Sequence, residues 1–265
     1  MRYNLLIKLK LGWNRVISTP IDVESIGVLF IHLGHILKQE PSLLDKHVEG
    51  TKGGKIMIKV TLKDGSNIEV EQGTSIIEVA QKISEGLARV ATCGLVNGEV
   101  KDLRYELQED CNLSIETFDS SLDGQKAYWH TTSHIMAQAV KRLFPDVKFA
   151  IGPSIDNGFY YDFDVEKPFS DEDKANIEAE MKKIIKEDIE IERFSLPKKD
   201  ALELMKDQPY KQELINDLPE GEEISFYKQG DFTDLCAGPH LMKTGKVKAV
   251  KILSSSGAYW RGDEH

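Results

Sequence analysis

His130 and His134, in the run YWHTTSHIMAQAV, stand four residues apart, and Cys236 and His240 repeat that spacing in DFTDLCAGPHL. On a helix, positions i and i+4 share one face, so the first two imidazoles can enter a single cleft. The second pair sits in a Gly-Pro turn, where backbone can approach a ligand closely. Three imidazoles and a thiol can hold a tetrahedral zinc ion, or they can position and activate a water without metal. A lone His-x-x-x-His pair is common on helices. Here the chain has only seven histidines and three cysteines, and four of them fall in two short pairs. Two separated elements are what an enclosed site needs.

The elements that must carry these pairs are legible. A helix from about Lys126 to Phe144 bears the histidines and stops at Pro145. FAIGPSIDNGFYYDFDV reads as a strand, a Gly-Pro turn, an Asn157-Gly158 hairpin turn and an aromatic return strand. Ser170 and the acidic residues after it cap a helix reaching Glu187. IEIERFSL is a strand, Pro197 opens a short helix to Lys206, and short strands resume from Glu222. Upstream, MIKVTL and NIEVEQ alternate around Asp64-Gly65, the signature of a hairpin. Gly73-Thr74 caps a helix, SIIEVAQKISEGL, with an apolar stripe of Ile76, Ile77, Val79, Ala80 and Ile83. ATCGLVNGEV and NLSIETF follow as strands, with a tight turn at Asn97-Gly98. The mixed order of elements makes both modules α+β. The expected divisions are 1–56, an extension without clear alternation of strand and helix; 57–118, a small module; 119–125, a linker; and 126–265, the site-bearing domain.

Composition narrows the function classes. With 34 basic against 44 acidic residues, bulk charge does not favour non-specific nucleic-acid binding. Lys182, Lys183 and Lys186, and Lys243, Lys246, Lys248 and Lys251, read as solvated faces. GVLFIHLGHIL is too short and interrupted to cross a bilayer, and no secretory signal is evident. Three cysteines argue against a disulfide framework and for a reducing, cytoplasmic setting. Cys93 and Cys111 read as small buried hydrophobes. His32 and His35 carry no pattern.

HTTSHIMAQAV, AIGPSIDNGFYYDFD, DLCAGPHL and SGAYWRGDE occur in the order found in the amino-terminal half of bacterial threonyl-tRNA synthetases, and the chain resembles that family from about residue 57 to 265. The resemblance implies a ubiquitin-like β-grasp (TGS) domain at 57–118, then a mixed α/β editing domain of the type shared with alanyl-tRNA synthetase. The family's aminoacylation and anticodon-binding domains have no counterpart here. ATP, magnesium and zinc would belong to that absent catalytic domain, and no cofactor is expected in this chain. The implied activity is hydrolysis of the ester in seryl-tRNA made in error on threonine tRNA, not threonine-tRNA ligation itself. The implied partner is the acceptor end of that tRNA. A monomer is expected here, against the homodimer of the full-length family.

The resemblance also implies roles. His130, His134, Cys236 and His240 match the editing quartet, and Lys211, Asp234 and Tyr161 match polar groups lining the same site. His130 or Lys211 would position the attacking water; His134, Cys236 and His240 would orient the ester and terminal ribose. Lys211 could also steady the oxyanion. Taken alone, Lys211 reads as a solvated lysine, Tyr161 as core and Asp234 as a turn residue. The quartet has a zinc ligand count, but a closed four-ligand ion leaves no position for water, so a metal-free site is expected. Two rival readings remain: a free-standing deacylase acting on mischarged alanine tRNA, and a non-catalytic RNA-binding module with a structural zinc. Ala237 departs from the family, in which many members have Arg, and removes a phosphate or ribose contact. Lys52-Gly53-Gly54 can be encoded by a ribosome-binding sequence just before Met57, so residues 1–56 are expected to be a translated leader that packs poorly.

Overall fold

A computed structural model describes residues 2–7, 55–155 and 158–258. Met1, residues 8–54, residues 156–157 with the expected Asn157 turn position, and residues 259–265 lie outside the described residues, and with them His32, His35 and most of the expected leader.

The chain opens with β1 (Arg2–Ile7), which among the described residues pairs with strands far downstream. The small module then forms a five-stranded sheet in the order β3-β2-β6-β4-β5, from β2 (Met57–Leu62), β3 (Asn67–Glu71), β4 (Ala91–Val96), β5 (Glu99–Lys101) and β6 (Cys111–Thr117). β2 runs parallel to β6 and antiparallel to β3, as in a β-grasp. The Asp64-Gly65 and Asn97-Gly98 turns form as read, with φ of 83° at Gly65, 50° at Asn97 and 89° at Gly98. Val60, Val70, Ile76, Val79, Leu103, Leu107 and Leu113 fill the core between sheet and helix. Cys93 and Cys111 are buried free thiols.

The expected single helix is two. α1 (Ile76–Ile83) is capped by Ser75, whose amide and hydroxyl both reach the Glu78 carboxylate; α2 (Glu85–Val90) starts at Ser84, whose hydroxyl accepts from Leu87 N–H. A serine that can accept from the next turn competes with helix continuation, which ends α1 there.

The linker is also shorter than expected, because α3 (Leu122–Leu143) begins at Ser121. Ser121 Oγ accepts from Gly124 N–H at 3.0 Å. Gly124 is there for close approach: a Cβ would sit 2.0 Å from the Thr117 carbonyl oxygen. Helix α3 is therefore pressed against the small module rather than hung from a flexible tether.

β7 (Lys148–Phe149), β8 (Ser154–Ile155) and β9 (Gly158–Asp164) follow, then α4 (Asp171–Glu187), capped by Ser170 as read, and β10 (Ile191–Leu196). Next come α5 (Lys198–Leu204), α6 (Pro209–Asp217), β11 (Ile224–Gln229), β12 (Phe232–Leu235), a 3-10 turn at Thr244–Lys246 and β13 (Ser254–Ala258). One sheet has the order β13-β1-β9-β7 with β8 on β9, and a second has the order β10-β11-β12. Buried residues of α3, α4 and β9, among them Ile135, Val140, Ile177, Met181, Phe159 and Phe163, form the main core. Residues 2–7 thus differ from the expectation for a leader: β1 lies between β9 and β13 and pairs with both. RYNLLI has strand formers in Tyr3 and Ile7, and the two flanking strands offer it hydrogen bonds on each side.

Candidate active site

Three parts of the fold meet at the site. Helix α3 presents His130 and His134 on one face, the strap after β12 presents Cys236 and His240, and α6 brings Lys211 beside Asp234 of β12 and Tyr161 of β9. All seven residues singled out from the sequence converge. His134, His240, Lys211, Asp234 and Tyr161 form a buried floor, while His130 and Cys236 are half-buried and Ala237 is exposed at the rim.

Cys236 Sγ lies 3.2 Å from Nε2 of His130 and 3.2 Å from Nε2 of His240. The His134 and His240 rings are 4.2 Å apart at their centroids, and those of His130 and His240 4.3 Å. Thr131 Oγ1 donates to the Ala127 carbonyl at 2.9 Å, which leaves His240 Nδ1, 3.3 Å away, as the donor to Thr131. Nε2 of His240 is then bare and can accept a hydrogen bond from the Cys236 thiol.

The second half is ionic. Lys211 Nζ is 2.7 Å from Asp234 Oδ1 and donates to the Tyr161 hydroxyl at 3.2 Å, while Tyr161 donates to Asp234 Oδ2. His134 Nε2 stands 3.7 Å from Asp234 Oδ2 and joins the two halves. A solvated lysine and a turn aspartate, the readings these residues suggest in isolation, are not what the fold makes of them.

Burial governs the protonation states. It drives His130 down to about 3 and His134 down to about 4, helped for His130 by its neighbour His134, and it pushes His240 well below the usual range. The three imidazoles are neutral at pH 7. Burial likewise pushes the Cys236 thiol up to about 12, so it is not a thiolate nucleophile. Burial opposes ionisation of Asp234, but the Lys211 charge and then His134 outweigh it, and the carboxyl titrates below its ordinary value. The Tyr161 phenol is raised by burial and by Asp234 and stays protonated.

The quartet also fits a metal. Its donor atoms lie within 4.8 Å of one another, and zinc bonds of about 2.0–2.3 Å would be reached by small ring movements. Thr131 would serve as the outer partner of His240.

Residues 58–117 match the TGS domain model, and residues 224–264 match the model of the threonyl and alanyl tRNA synthetase second additional domain. The threonine--tRNA ligase of Acetivibrio thermocellus is 67% identical over 210 residues, 78% of this chain and 33% of that protein. Over the matched residues the chain is similar to bacterial threonine--tRNA ligases. The ligase of Clostridium perfringens is 68% identical over 208 residues, and that of Caldanaerobacter subterraneus 60% over 207, each again spanning 32% of the relative. The chain thus spans about a third of the length of the curated threonine--tRNA ligases it matches. Its α+β architecture, a TGS domain followed by the second additional domain, is the one the sequence leads us to expect. Among the described residues, no helix is long and apolar enough to cross a membrane.

Residues that the sequence did not point to support the strap. The ring of Tyr227 of β11 lies 4.3 Å from that of His240 at a tilt of 54°, and its hydroxyl occupies the space a Cβ on Gly238 would need, 2.1 Å away. Gly238 also has a φ of 77°. Gly238→Ala should therefore lower unfolding stability by about 1–3 kcal/mol through overpacking. Urea unfolding checks this, and an unchanged midpoint would mean the strap yields without cost. No spacing rule could have found Tyr227, since it neighbours His240 only through the pairing of β11 with β12.

Proposed function

We propose that this chain hydrolyses the ester of seryl-tRNA mischarged on threonine tRNA. The observation that carries the reading is the convergence of four metal-type ligands and a buried Lys211–Asp234 pair behind a half-open rim. The relatives' names add that the chain is kin to enzymes that charge tRNA with threonine. A synthetic pocket built for threonine admits serine, which lacks one methyl, and such a difference supports only about 10–200-fold discrimination. A second pocket too tight for the methyl removes the error.

In the reaction, a water oxygen attacks the seryl carbonyl carbon, the bond to the ribose oxygen breaks, and that oxygen takes up a proton. His130, neutral and nearest the opening, positions the water. Lys211 has three N–H bonds. Asp234 and Tyr161 engage two of them, which leaves one to steady the oxyanion. His134, Cys236 and His240 orient the ester and the terminal ribose, and a ribose hydroxyl shares the proton transfer. A zinc ion held by the quartet would lock those four side chains and act as a Lewis acid. With all four ligands engaged it would leave no position for the attacking water, so the proposal assigns the chemistry to the side chains.

The test incubates the purified chain with seryl- and threonyl-tRNA for threonine and with seryl-charged alanine tRNA, with and without chelator. Serine should be released at least about tenfold faster than threonine, as one methyl permits, and the rate should survive the chelator. No release from either tRNA sinks the reading. Preferential release from mischarged alanine tRNA would favour the other deacylase class.

A further inference from the structure

The strap bearing Cys236 and His240 is held from outside its own domain. Asp102 and Arg104 lie in the loop between β5 and β6 of the TGS domain, and both point across the domain boundary. Asp102 Oδ2 accepts the His240 main-chain N–H at 3.1 Å and the Tyr227 hydroxyl at 2.9 Å. Arg104 donates to the carbonyls of Leu241 at 3.0 Å, His240 at 3.4 Å and Ile191. The two side chains are paired with each other at 2.8 Å, and 9% of Asp102 and 19% of Arg104 is exposed.

Both main-chain polar groups of His240 are thus engaged by TGS side chains. Beyond it, Met242 packs against the TGS core, and its carbonyl accepts from Ile191 N–H at 2.9 Å. Charge-assisted bonds of this kind are short, directional and stronger than neutral ones. Arg104 is a planar fork reaching three carbonyls, two in the strap and one at the start of β10, an arrangement lysine cannot copy. On the editing side, the Thr131 hydroxyl, through Leu241 N–H at 2.9 Å and His240 Nδ1, anchors the same stretch to α3, and Cys236 Sγ meets His130 of α3 at 3.2 Å.

We propose that Asp102 and Arg104 are positioning residues of the editing site, so that the TGS domain sets the place of the His240 imidazole and, through it, of the Cys236 thiol. The TGS domain is then a structural component of the hydrolase. This rests on the hydrolytic reading above, but its physical claim concerns the geometry of His240 and is tested separately.

The variants are Asp102→Ala, Asp102→Asn, Arg104→Met and Arg104→Lys in the full chain, with Lys246→Gln as a control. Lys246 makes another contact across the boundary, donating to the Arg89 carbonyl at 2.9 Å, without touching the strap. Two readouts are taken: the nitrogen resonances of the His240 ring, and kcat and KM for seryl-tRNA. Asp102→Ala and Arg104→Met should change the His240 tautomer or broaden its signals and lower kcat at least tenfold, with KM within about twofold. Asp102→Asn, which keeps an acceptor, should recover part of kcat, Arg104→Lys little, and Lys246→Gln should leave both readouts as in the parent. Unchanged His240 signals and kcat in Asp102→Ala and Arg104→Met overturn the proposal. Equal losses in Lys246→Gln also overturn it, since they would mark a general effect of domain contact. Where an alanine or methionine variant does not fold, Asp102→Asn and Arg104→Lys decide by the same criteria. A parent chain that hydrolyses no ester defeats the hydrolytic reading while the ring signals still judge the clamp.

Discussion

Lys211→Met should slow ester hydrolysis by about 100–1,000-fold and destabilise the chain by about 3–5 kcal/mol, the cost of stranding a buried carboxylate without its partner. Lys211 and Asp234 are each 3% exposed and 2.7 Å apart, so no water can stand in for the lost ammonium. The two losses have different origins and can be separated. In Lys211→Met/Asp234→Asn the buried charge is gone, Tyr161 keeps an acceptor, and most of the stability should return. Hydrolysis should not return, because the charge facing the oxyanion is still missing; a deficit of about 100–1,000-fold is expected for one such electrostatic group. Chemical unfolding and single-turnover deacylation read the two effects. A double variant that regains the parent rate would make Lys211 a structural residue only. A single variant as stable as the parent would contradict the burial of the pair.

Acidification should destabilise the chain between about pH 6.5 and pH 4, well above the range in which most carboxylates titrate. A histidine whose folded pKa lies below its unfolded value of about 6.5 binds fewer protons folded than unfolded, so stability falls as pH drops below 6.5. The fall continues until the folded pKa is reached, about 4 for His134 and about 3 for His130. Each of these groups withdraws roughly 2 kcal/mol between pH 6.5 and pH 5 by linkage, and His240 acts in the same direction. Asp162 works against them: burial raises it to about 7, so its protonated form favours the fold as pH falls. With three imidazoles against one carboxyl, the net change should be a loss of a few kcal/mol by linkage. His134→Gln, which cannot titrate, should flatten part of the slope. Urea midpoints that do not move between pH 7 and pH 5 would show that the imidazoles are solvated.

Much of this was written locally. The hairpin at Asp64-Gly65, the turn at Asn97-Gly98 and the Ser170 cap follow from residues whose backbone preferences act within a few positions. The end of the helix carrying His130 and His134 is legible in Pro145. The start of that helix is not, because Gly124 looks like a linker residue until one sees that it lets α3 touch Thr117. The break at Ser84 and the helix around Lys211 were likewise missed, since both balance local propensity against packing from elsewhere in the chain.

The sequence by itself determined the identities at the site: two His/Cys pairs, their spacing, and the family resemblance that joined Lys211, Asp234 and Tyr161 to them. Side-chain type and short-range spacing are properties of the chain and survive without a fold. Only the tertiary structure decided that His130 and Cys236 face the opening while five polar residues form a buried floor. It alone set the protonation of the imidazoles, since that depends on desolvation. It also placed Asp102 and Arg104, over a hundred residues earlier, on the main chain of His240. Such contacts come from the packing of one domain on another, and no local pattern in the chain encodes them.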